Sequence, residues 1–447
     1  MGLVYLVVGI SLVLGVMVLI HEWGHFVAAR IFGVRVDVFS IGFGPRLFGW
    51  KKGPTDYRVS ALPLGGYVRM AGQDLSEVDA GEKPPTGAPD ELMSKPRWQR
   101  ALISFAGPAV NLIFPIFLLT GLFTMLGVPY PAYLNAPVHV AGMPPNSDAA
   151  SSPLKVGDTV VSINGTATPN WEQALLALKQ VGTGTTVKLE IDDSGTRRIV
   201  EVPAKNATDS SRILGYAPIR PIIDQVAPGT PAERSGLREG DAITAVNGNK
   251  IDYWEQFRAA TQSSNGQPMT LDVNRKGQPV RIVVTPKKDA ANTGESAYQI
   301  GVLPRDETAY KHVTFSESVK FAGAETVDTI ERTVDVVGKL FSGRVSIKQL
   351  QGPVGISSMA GQAVRRGALD VISLMVLISI NLGILNLLPI PILDGGNILL
   401  LAIEGIMRRD LSLSFKERFV QVGLVFLLVI FAIVMYNDIL RRISSHS

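Results

Sequence analysis

The residues with the clearest potential for chemistry are His21-Glu22-Trp23-Gly24-His25. Residues four apart lie on one face of an α-helix, so His21 and His25 can bind the same metal ion. Glu22 can act as the general base that activates a water molecule beside that ion. Ordinary helix packing is the alternative, but two histidines and a glutamate are costly at membrane depth unless they are liganded or paired. The pattern therefore predicts a metal site.

A third ligand is needed, because a catalytic zinc ion takes three protein ligands and keeps one open position. The remaining histidines lie in predicted outer segments or in the tail, at His139, His312 and His446. Asp394 is the better candidate, because it ends a long uncharged stretch at the same membrane end as the two histidines. Pro389 and Pro391 would break that helix and let Asp394 fold back toward the metal. The alternative is an Asp-Gly turn that ends a helix at the membrane surface.

Four apolar stretches have about the 20 residues that a membrane-spanning helix needs. They are residues 3–20, 102–128, 371–393 and 419–436. The composition agrees, since only 18% of the residues are charged, against about 25% in an ordinary soluble domain. The sequence therefore predicts a polytopic α-helical membrane protein with four transmembrane helices and soluble insertions.

Basic residues predict the orientation, because they are enriched in cytoplasmic loops. Clusters follow the first stretch, precede the second and separate the third from the fourth: Arg30, Arg35, Arg46, Lys51 and Lys52; Lys95, Arg97 and Arg100; Arg408, Arg409, Lys416 and Arg418. The long segment between the second and third stretches is then outside the cytoplasm, and the metal site lies in the membrane near its cytoplasmic side.

Charge argues against nucleic-acid binding, and the cysteine content excludes disulfides and cysteine-type zinc sites. The net charge of +4 comes without a dense basic run, which gives little support to nucleic-acid binding. Cysteine is absent, so neither a disulfide framework nor a cysteine-type zinc site can form.

The outer segment contains an internal repeat. Residues 156–165 recur as residues 239–248, and each copy is followed by Trp-Glu-Gln, beginning at Trp171 and Trp254. Both copies contain Asn-Gly between apolar runs, which predicts a β-hairpin. A helix is expected to begin near each tryptophan.

The repeat resembles bacterial PDZ domains, most clearly in residues 228–232 and 235–241, whereas the first copy matches loosely. PDZ domains bind an extended peptide by adding it as a strand to a sheet edge. The resemblance therefore implies grooves for peptide termini, with the strands that carry Gly215 and Gly301 as the expected edges. The alternative is that the two modules are spacers or lids with empty grooves.

The two chemical motifs together resemble the site-2 protease family of intramembrane metalloproteases. The motifs are HEWGH in the first apolar helix and Asn386-x-x-Pro389-x-Pro391-x-Leu393-Asp394-Gly395 near the C-terminus. The resemblance implies zinc held by the residues at 21, 25 and 394, with Glu22 as the catalytic base. It also implies a bacterial inner-membrane location with the PDZ pair in the periplasm. The implied substrate is a single-pass membrane protein, such as an anti-sigma factor already trimmed by another protease, cut within its spanning helix.

Substrate contacts are expected from a second group of residues. Asn386 offers amide donors and a carbonyl acceptor to a substrate backbone, and it is grouped with Pro389, Pro391, Gly65 and Tyr67. Residues 36–70 resemble the membrane-associated β-hairpin of the family, which is proposed to clamp an extended substrate; an ordinary cytoplasmic hairpin is the alternative. Residues 107–111 are interpreted as close helix packing with a polar residue between helices.

The predicted division of the chain has five parts. Residues 1–128 form the first membrane part, 129–220 and 221–308 the two PDZ-like domains, 309–368 an amphipathic connector on the outer surface, and 369–447 the last two spans. Two other functional classes remain open. A non-catalytic chaperone or adaptor would use the PDZ modules but leave HEWGH and Asp394 unexplained, and a zinc transporter would need further buried ligands along a pathway.

Overall fold

The computed structural model describes the chain except residues 1, 74–85, 145–146, 183, 194, 205–208, 228, 289–297, 306, 344–351 and 445–447. Pro228 of the PDZ-like motif and His446 lie outside the described residues. The chain divides into two compact units. One comprises Met1–Val128 and His312–Leu440, and the other comprises Pro129–Lys311 and Arg441–Ser447.

The described α-helices and β-strands are each numbered in chain order. The helices are α1 (Gly2–Ile31), α2 (Arg97–Leu126), α3 (Trp171–Leu178), α4 (Ser211–Leu214), α5 (Pro231–Arg234), α6 (Trp254–Ser263), α7 (Phe315–Phe341), α8 (Pro353–Arg366), α9 (Ala368–Leu387), α10 (Asp394–Met407) and α11 (Leu413–Ser444). The strands are β1 (Val36–Lys52), β2 (Thr55–Met70), β3 (Val128–Pro131), β4 (Val138–His139), β5 (Thr159–Ile163), β6 (Thr166–Ala167), β7 (Thr185–Asp193), β8 (Thr196–Ala204), β9 (Ile223–Val226), β10 (Ala242–Val246), β11 (Asn249–Lys250), β12 (Met269–Arg275), β13 (Gln278–Val284), β14 (Lys287–Lys288), β15 (Tyr298–Gln299), β16 (Val302–Pro304) and β17 (Thr308–Lys311).

Four described helices are long and apolar enough to cross a membrane. They cover Ser11–Ile31, Arg97–Leu126, Ala368–Leu387 and Ser414–Asn437, and each overlaps one of the predicted stretches. The chain is therefore a polytopic membrane protein that also carries β-sheets.

The third stretch differs from its prediction. The sequence places Asp394 at the end of a span over residues 371–393, whereas α9 ends at Leu387 and a separate helix, α10, begins at Asp394. Pro389 and Pro391 explain the break, because proline lacks the N–H that would continue the helix and restricts the residue before it.

The helical unit packs α1 against both α2 and α8. Val13 and Met17 of α1 are buried with Ala360 and Ala363 of α8. A Cβ on Gly9 would lie 2.6 Å from the carbonyl carbon of Ala360, so the two backbones approach closely. The sequence predicted that this part of the connector lies on the membrane surface. Within this connector, the small residues of α8 let it pack closely against α1.

The predicted hairpin over residues 36–70 is present as β1 and β2, which pair antiparallel. Residues 38–41, near the start of β1, are paired on both sides; Phe39, for example, lies opposite Val68 and also opposite Tyr57. Within the described residues, the segment 66–70 of β2 pairs with β1 on one side only. This end segment of β2 contacts α1 close to the HEWGH residues.

The second unit holds two lobes of similar construction. One sheet has the order β4-β5-β7-β8, with β6 also paired to β5, and the other has the order β11-β10-β12-β13, so β6-β5-β7-β8 corresponds to β11-β10-β12-β13. The predicted hairpins are confirmed, because Asn164 and Asn247 both have φ near +50° and each is followed by a glycine of positive φ, as two-residue hairpin turns require. The predicted helices are also confirmed, as α3 and α6 begin at Trp171 and Trp254.

The expected groove edges differ in detail from the prediction. Gly215 directly follows the short helix α4, and Gly301 directly precedes β16, so neither glycine lies within a strand. Both have positive φ, of +74° and +85°. Their conformation suits a tight loop at the start of an extended segment better than a strand interior.

Candidate active site

His21 and His25 lie one turn apart on α1, and both residues are buried, with 6% and 9% of their surface exposed. Their Nε2 atoms are 3.1 Å apart. Two glycines let α2 come close enough to enclose them. A Cβ on Gly24 would lie 2.5 Å from the carbonyl oxygen of Ala106, and one on Gly107 would lie 2.3 Å from His25 Nε2. The close packing of α1 on α2 therefore depends on these two glycines.

Asp394 completes the group from the start of α10. Its Oδ2 lies 3.1 Å from His21 Nε2, and its Oδ1 lies 3.4 Å from His25 Nε2. A tetrahedral ion with bonds of about 2.0–2.1 Å spaces its ligand atoms by about 3.3 Å. Two imidazoles and a carboxylate, with ligand atoms within 4.8 Å of one another, therefore fit a zinc ion in kind and in spacing.

A tight turn between α9 and α10 brings Asp394 to the histidines. Ile392 has φ of +79°, which is strained for a β-branched residue. A Cβ on Gly395 would lie 2.3 Å from the carbonyl oxygens of Leu387 and Leu388, so the chain turns back directly against the end of α9. Asp394 thus folds back toward the two histidines, and its place there depends on this strained turn.

Glu22 lies between the two histidines and the hairpin. Its Oε2 accepts a hydrogen bond from the backbone N–H of Val68 at 3.0 Å. A Cβ on Gly66 would lie 3.7 Å from Glu22 Cγ. The one-sided edge of β2 therefore faces the carboxylate that the sequence assigns as general base.

A cavity of about 590 Å³ opens onto these side chains. His21, Glu22, His25 and Asp394 line one part of it, together with Asn386 and Tyr67. The Nδ2 atom of Asn386 lies 3.4 Å from His21 Nε2. Two of the residues expected to contact substrate, Asn386 and Tyr67, thus share a cavity with the metal-binding candidates.

The other expected substrate residues lie elsewhere. Pro389, Pro391 and Gly65 are not among the residues that line the cavity. Pro391 packs on α11, where a Cβ on Gly423 would lie 2.2 Å from the Pro391 Cβ. Gly65 has φ of +125° and lies against the ring of Phe43. The prolines shape the turn that carries Asp394, and Gly65 shapes the hairpin.

A buried ion cluster lines another part of the same cavity, and sequence reasoning missed it. Glu404 of α10 is fully buried. Its carboxylate lies 3.4 Å from Arg100 Nη2 and 3.2 Å from Lys416 Nζ, and it accepts the N–H of Leu411 at 3.0 Å. The signal in the sequence was a single glutamate within an apolar stretch, near the basic residues used only to predict orientation.

Asn111 contacts one of the candidate ligands, which the sequence did not indicate. The sequence suggested close helix packing with a polar residue between helices, and Asn111 Nδ2 lies 3.2 Å from His21 Nδ1. A buried polar residue beside a candidate ligand can orient that ligand as well as pack.

Known proteins are similar to this chain over most of its length. The model of peptidase family M50 matches residues 9–430. Protease RseP of Yersinia pestis is 32% identical over 99% of this chain and 100% of its own length. The regulator of sigma-E protease RseP of Escherichia coli (strain K12) is 33% identical over 96% of this chain and 97% of its own. A Vibrio cholerae protein named as a candidate zinc metalloprotease is 31% identical, with the same coverage.

These matches confirm the resemblance drawn from the two motifs, and they do not favour a non-catalytic chaperone or adaptor. They extend over almost the whole chain, including both units. The chain therefore belongs to peptidase family M50, the site-2 proteases, and is a zinc metalloprotease of the membrane.

Proposed function

We propose that this protease hydrolyses peptide bonds within the bilayer, in the spanning helix of single-pass membrane proteins. In this proposal His21, His25 and Asp394 hold the zinc ion. The observation that carries it is the spacing of their ligand atoms, 3.1–3.4 Å, on and beside an apolar helix long enough to span a membrane. A hydrolytic site at this depth can act only on a substrate that also enters the membrane.

The chemistry divides between the metal and the protein. When bound, zinc supplies a Lewis acid that polarises a scissile carbonyl and acidifies water. Glu22 takes the proton of the attacking water and passes it to the leaving amine. The N–H of Val68 holds the Glu22 carboxylate in place. Asn386, beside His21, offers its amide to the substrate backbone near the reacting carbonyl.

The hairpin is proposed to present the substrate. A helical peptide bond is shielded by its own hydrogen bonds, so the substrate must become extended before it is cut. The one-sided segment 66–70 of β2 can pair with such an extended stretch beside Glu22. The hairpin also exposes Leu47, Phe48 and Trp50, which supports contact between this element and lipid.

The cavity is proposed as the route for water. It reaches from the metal-binding candidates to Arg100, Glu404 and Lys416. The distribution of basic residues predicts that this charged end lies on the cytoplasmic side of the inner membrane. Water would then reach Glu22 from the cytoplasm, while the second unit lies in the periplasm.

The two lobes of the second unit are proposed to be PDZ domains, over residues 129–220 and 221–308. Their shared sheet order and hairpin turns support this assignment. We propose that they bind peptide termini near Gly215 and Gly301 and reject substrates with bulky outer domains. An anti-sigma factor trimmed by another protease is the proposed substrate, which the name of the Escherichia coli relative, regulator of sigma-E protease, supports.

Reconstituted cleavage tests the proposed function. The full-length protein and a single-pass model substrate are placed in the same vesicles, with and without a zinc chelator. Cleavage within the spanning segment that stops with chelator and returns with zinc is the expected result. Binding without cleavage by the zinc-loaded protein would instead identify a chaperone or adaptor, and zinc uptake into the vesicles without cleavage would identify a transporter.

A further inference from the structure

Asn111 of α2 is fully buried, and its side-chain amide faces the ring of His21. Asn111 Nδ2 and His21 Nδ1 are 3.2 Å apart. The other end of the amide, Oδ1, is buried and has no hydrogen-bond partner among the described residues. Leaving a buried amide oxygen unpaired is unfavourable, so packing alone does not account for an asparagine here.

The second histidine shows what a zinc ligand needs from its surroundings. Nδ1 of His25 lies 2.8 Å from the carbonyl oxygen of Ile103. A carbonyl can only accept, so Nδ1 carries the hydrogen and Nε2 is left free to bind a metal. Histidine ligands are commonly held in this way, because the second hydrogen bond fixes both the tautomer and the ring orientation.

We propose that Asn111 is a positioning residue that fixes the tautomer and the ring orientation of His21. This inference rests on the zinc site proposed above. His21 Nε2 faces Asp394 Oδ2 at 3.1 Å, so Nε2 points at the metal position and Nδ1 must carry the hydrogen. The two ends of an amide have the same shape, and hydrogen-bonding needs decide which end faces a neighbour. Rotating the Asn111 amide by half a turn places Oδ1 against the His21 Nδ1–H, which gives that oxygen its hydrogen bond.

The backbone of Asn111 is held in place by a third helix. Ser379 of α9 is fully buried, and its hydroxyl donates to the Asn111 carbonyl at 2.7 Å. Ile103, which accepts from His25, lies on the same helix as Asn111. Helix α2 therefore orients both imidazoles of α1 and is itself fixed by α9.

Two substitutions of similar size separate positioning from packing. Leucine matches asparagine in shape but cannot accept a hydrogen bond, whereas aspartate can. We expect Asn111→Leu to weaken zinc binding by about tenfold to a hundredfold, as loss of a ligand's hydrogen-bond partner usually does. Asn111→Asp should keep an affinity close to that of the wild type. Zinc affinity is measured on the full-length protein by competition with a chelator of known affinity.

Thr120→Val is the matched control, because Thr120 is also a buried polar residue of α2 but lies away from the histidines. It should leave the zinc affinity unchanged. A second readout is the imidazole tautomer, followed by nitrogen NMR of ¹⁵N-histidine-labelled protein, which is practical because the chain has 5 histidines. The two ring nitrogens of His21 should give a pair of ¹⁵N resonances typical of the tautomer with hydrogen on Nδ1. We expect this pair to be lost in Asn111→Leu and kept in Asn111→Asp.

A packing role predicts the opposite order, since leucine would be tolerated and a buried aspartate would not. That order, or equal loss in both variants, overturns the positioning role. If the wild type binds zinc and Asn111→Leu binds it with the same affinity, the positioning role is overturned but the proposed zinc site is not. A wild-type protein that binds no zinc overturns the proposed metal site as well.

Discussion

The Oδ2 atom of Asp394 lies 3.1 Å from the Nε2 atom of His21, although the two residues come from opposite ends of the chain. The contact exists only when α1, α2 and the turn before α10 are packed together. Each of these elements contributes a feature that is intolerant of change: the histidines of α1, Gly107 of α2 and the strained Ile392 of the turn. The site is therefore a property of the folded membrane unit, and its residues can be tested one at a time.

Replacing Glu22 by glutamine should separate metal binding from turnover. Glutamine keeps an oxygen that can accept from Val68 N–H, but it cannot take a proton from water. We expect Glu22→Gln to retain zinc and to lose activity by at least about a hundredfold. Cleavage of a single-pass substrate and zinc content are measured on the same preparation. A wild-type cleavage rate in this variant would exclude Glu22 as the base.

Adding one methyl group to Gly107 should displace His25. The new Cβ would lie 2.3 Å from His25 Nε2, and the His25 ring is held in place by the contact of its Nδ1 with the carbonyl oxygen of Ile103 at 2.8 Å. We expect Gly107→Ala to weaken zinc binding by at least about tenfold, the loss typical of a disturbed ligand shell. Gly121→Ala is the control, because Gly121 lies on the same helix as Gly107 and a Cβ there would have nothing within 4 Å. Equal zinc affinity in the two variants would contradict the close contact of α1 with α2.

Removing the Glu404 carboxylate should destabilise the membrane unit. Glu404→Ala leaves Arg100 and Lys416 beside each other without the buried carboxylate that both approach. Breaking a buried charge pair in this way costs about 3–5 kcal/mol in the free energy of unfolding. Chemical unfolding in detergent measures the loss.

Asp335→Ala is the control for the buried cluster. Asp335 pairs with Lys339 of the same helix, α7, at 2.6 Å but is exposed, so the change should be below about 1 kcal/mol. If both substitutions lowered the free energy of unfolding by the same amount, the cluster around Glu404 would have no special role in stability.

Deleting residues 130–308 should broaden substrate choice. If the two lobes reject bulky outer domains, the shortened protein will cleave an untrimmed single-pass substrate that the full chain leaves intact. Cleavage of a trimmed substrate should continue at a similar rate, which also shows that the membrane unit has folded. Continued rejection of the untrimmed substrate by an active deletion variant would assign selectivity to another part of the chain.

Local patterns made the candidate ligands visible in the sequence. The helical spacing of the two histidines in HEWGH predicts a pair of ligands. Asp394 is predicted from its position after two prolines that break a span. The hairpin turns were equally predictable, because Asn-Gly between two apolar runs is by itself enough to indicate a two-residue hairpin turn.

Contacts between distant segments left no such local pattern. Asn111 faces His21 because α2 crosses α1, and Glu404 meets Arg100 because α10 returns against α2. A single sequence does not specify which faces of two helices meet. The start of α10 at Asp394 was missed for a related reason, because an Asp-Gly-Gly sequence is as typical of a turn as of a helix N-terminus.

The most direct test of the account is the zinc content of purified full-length protein carrying Asp394→Ala. Asp370→Ala serves as the control, since Asp370 lies in the first turn of α9 and pairs there with Arg366. The account predicts about one zinc per chain in the wild type and in Asp370→Ala, and a large loss in Asp394→Ala. Full zinc occupancy in Asp394→Ala would contradict the proposal that this carboxylate joins the two histidines as a ligand.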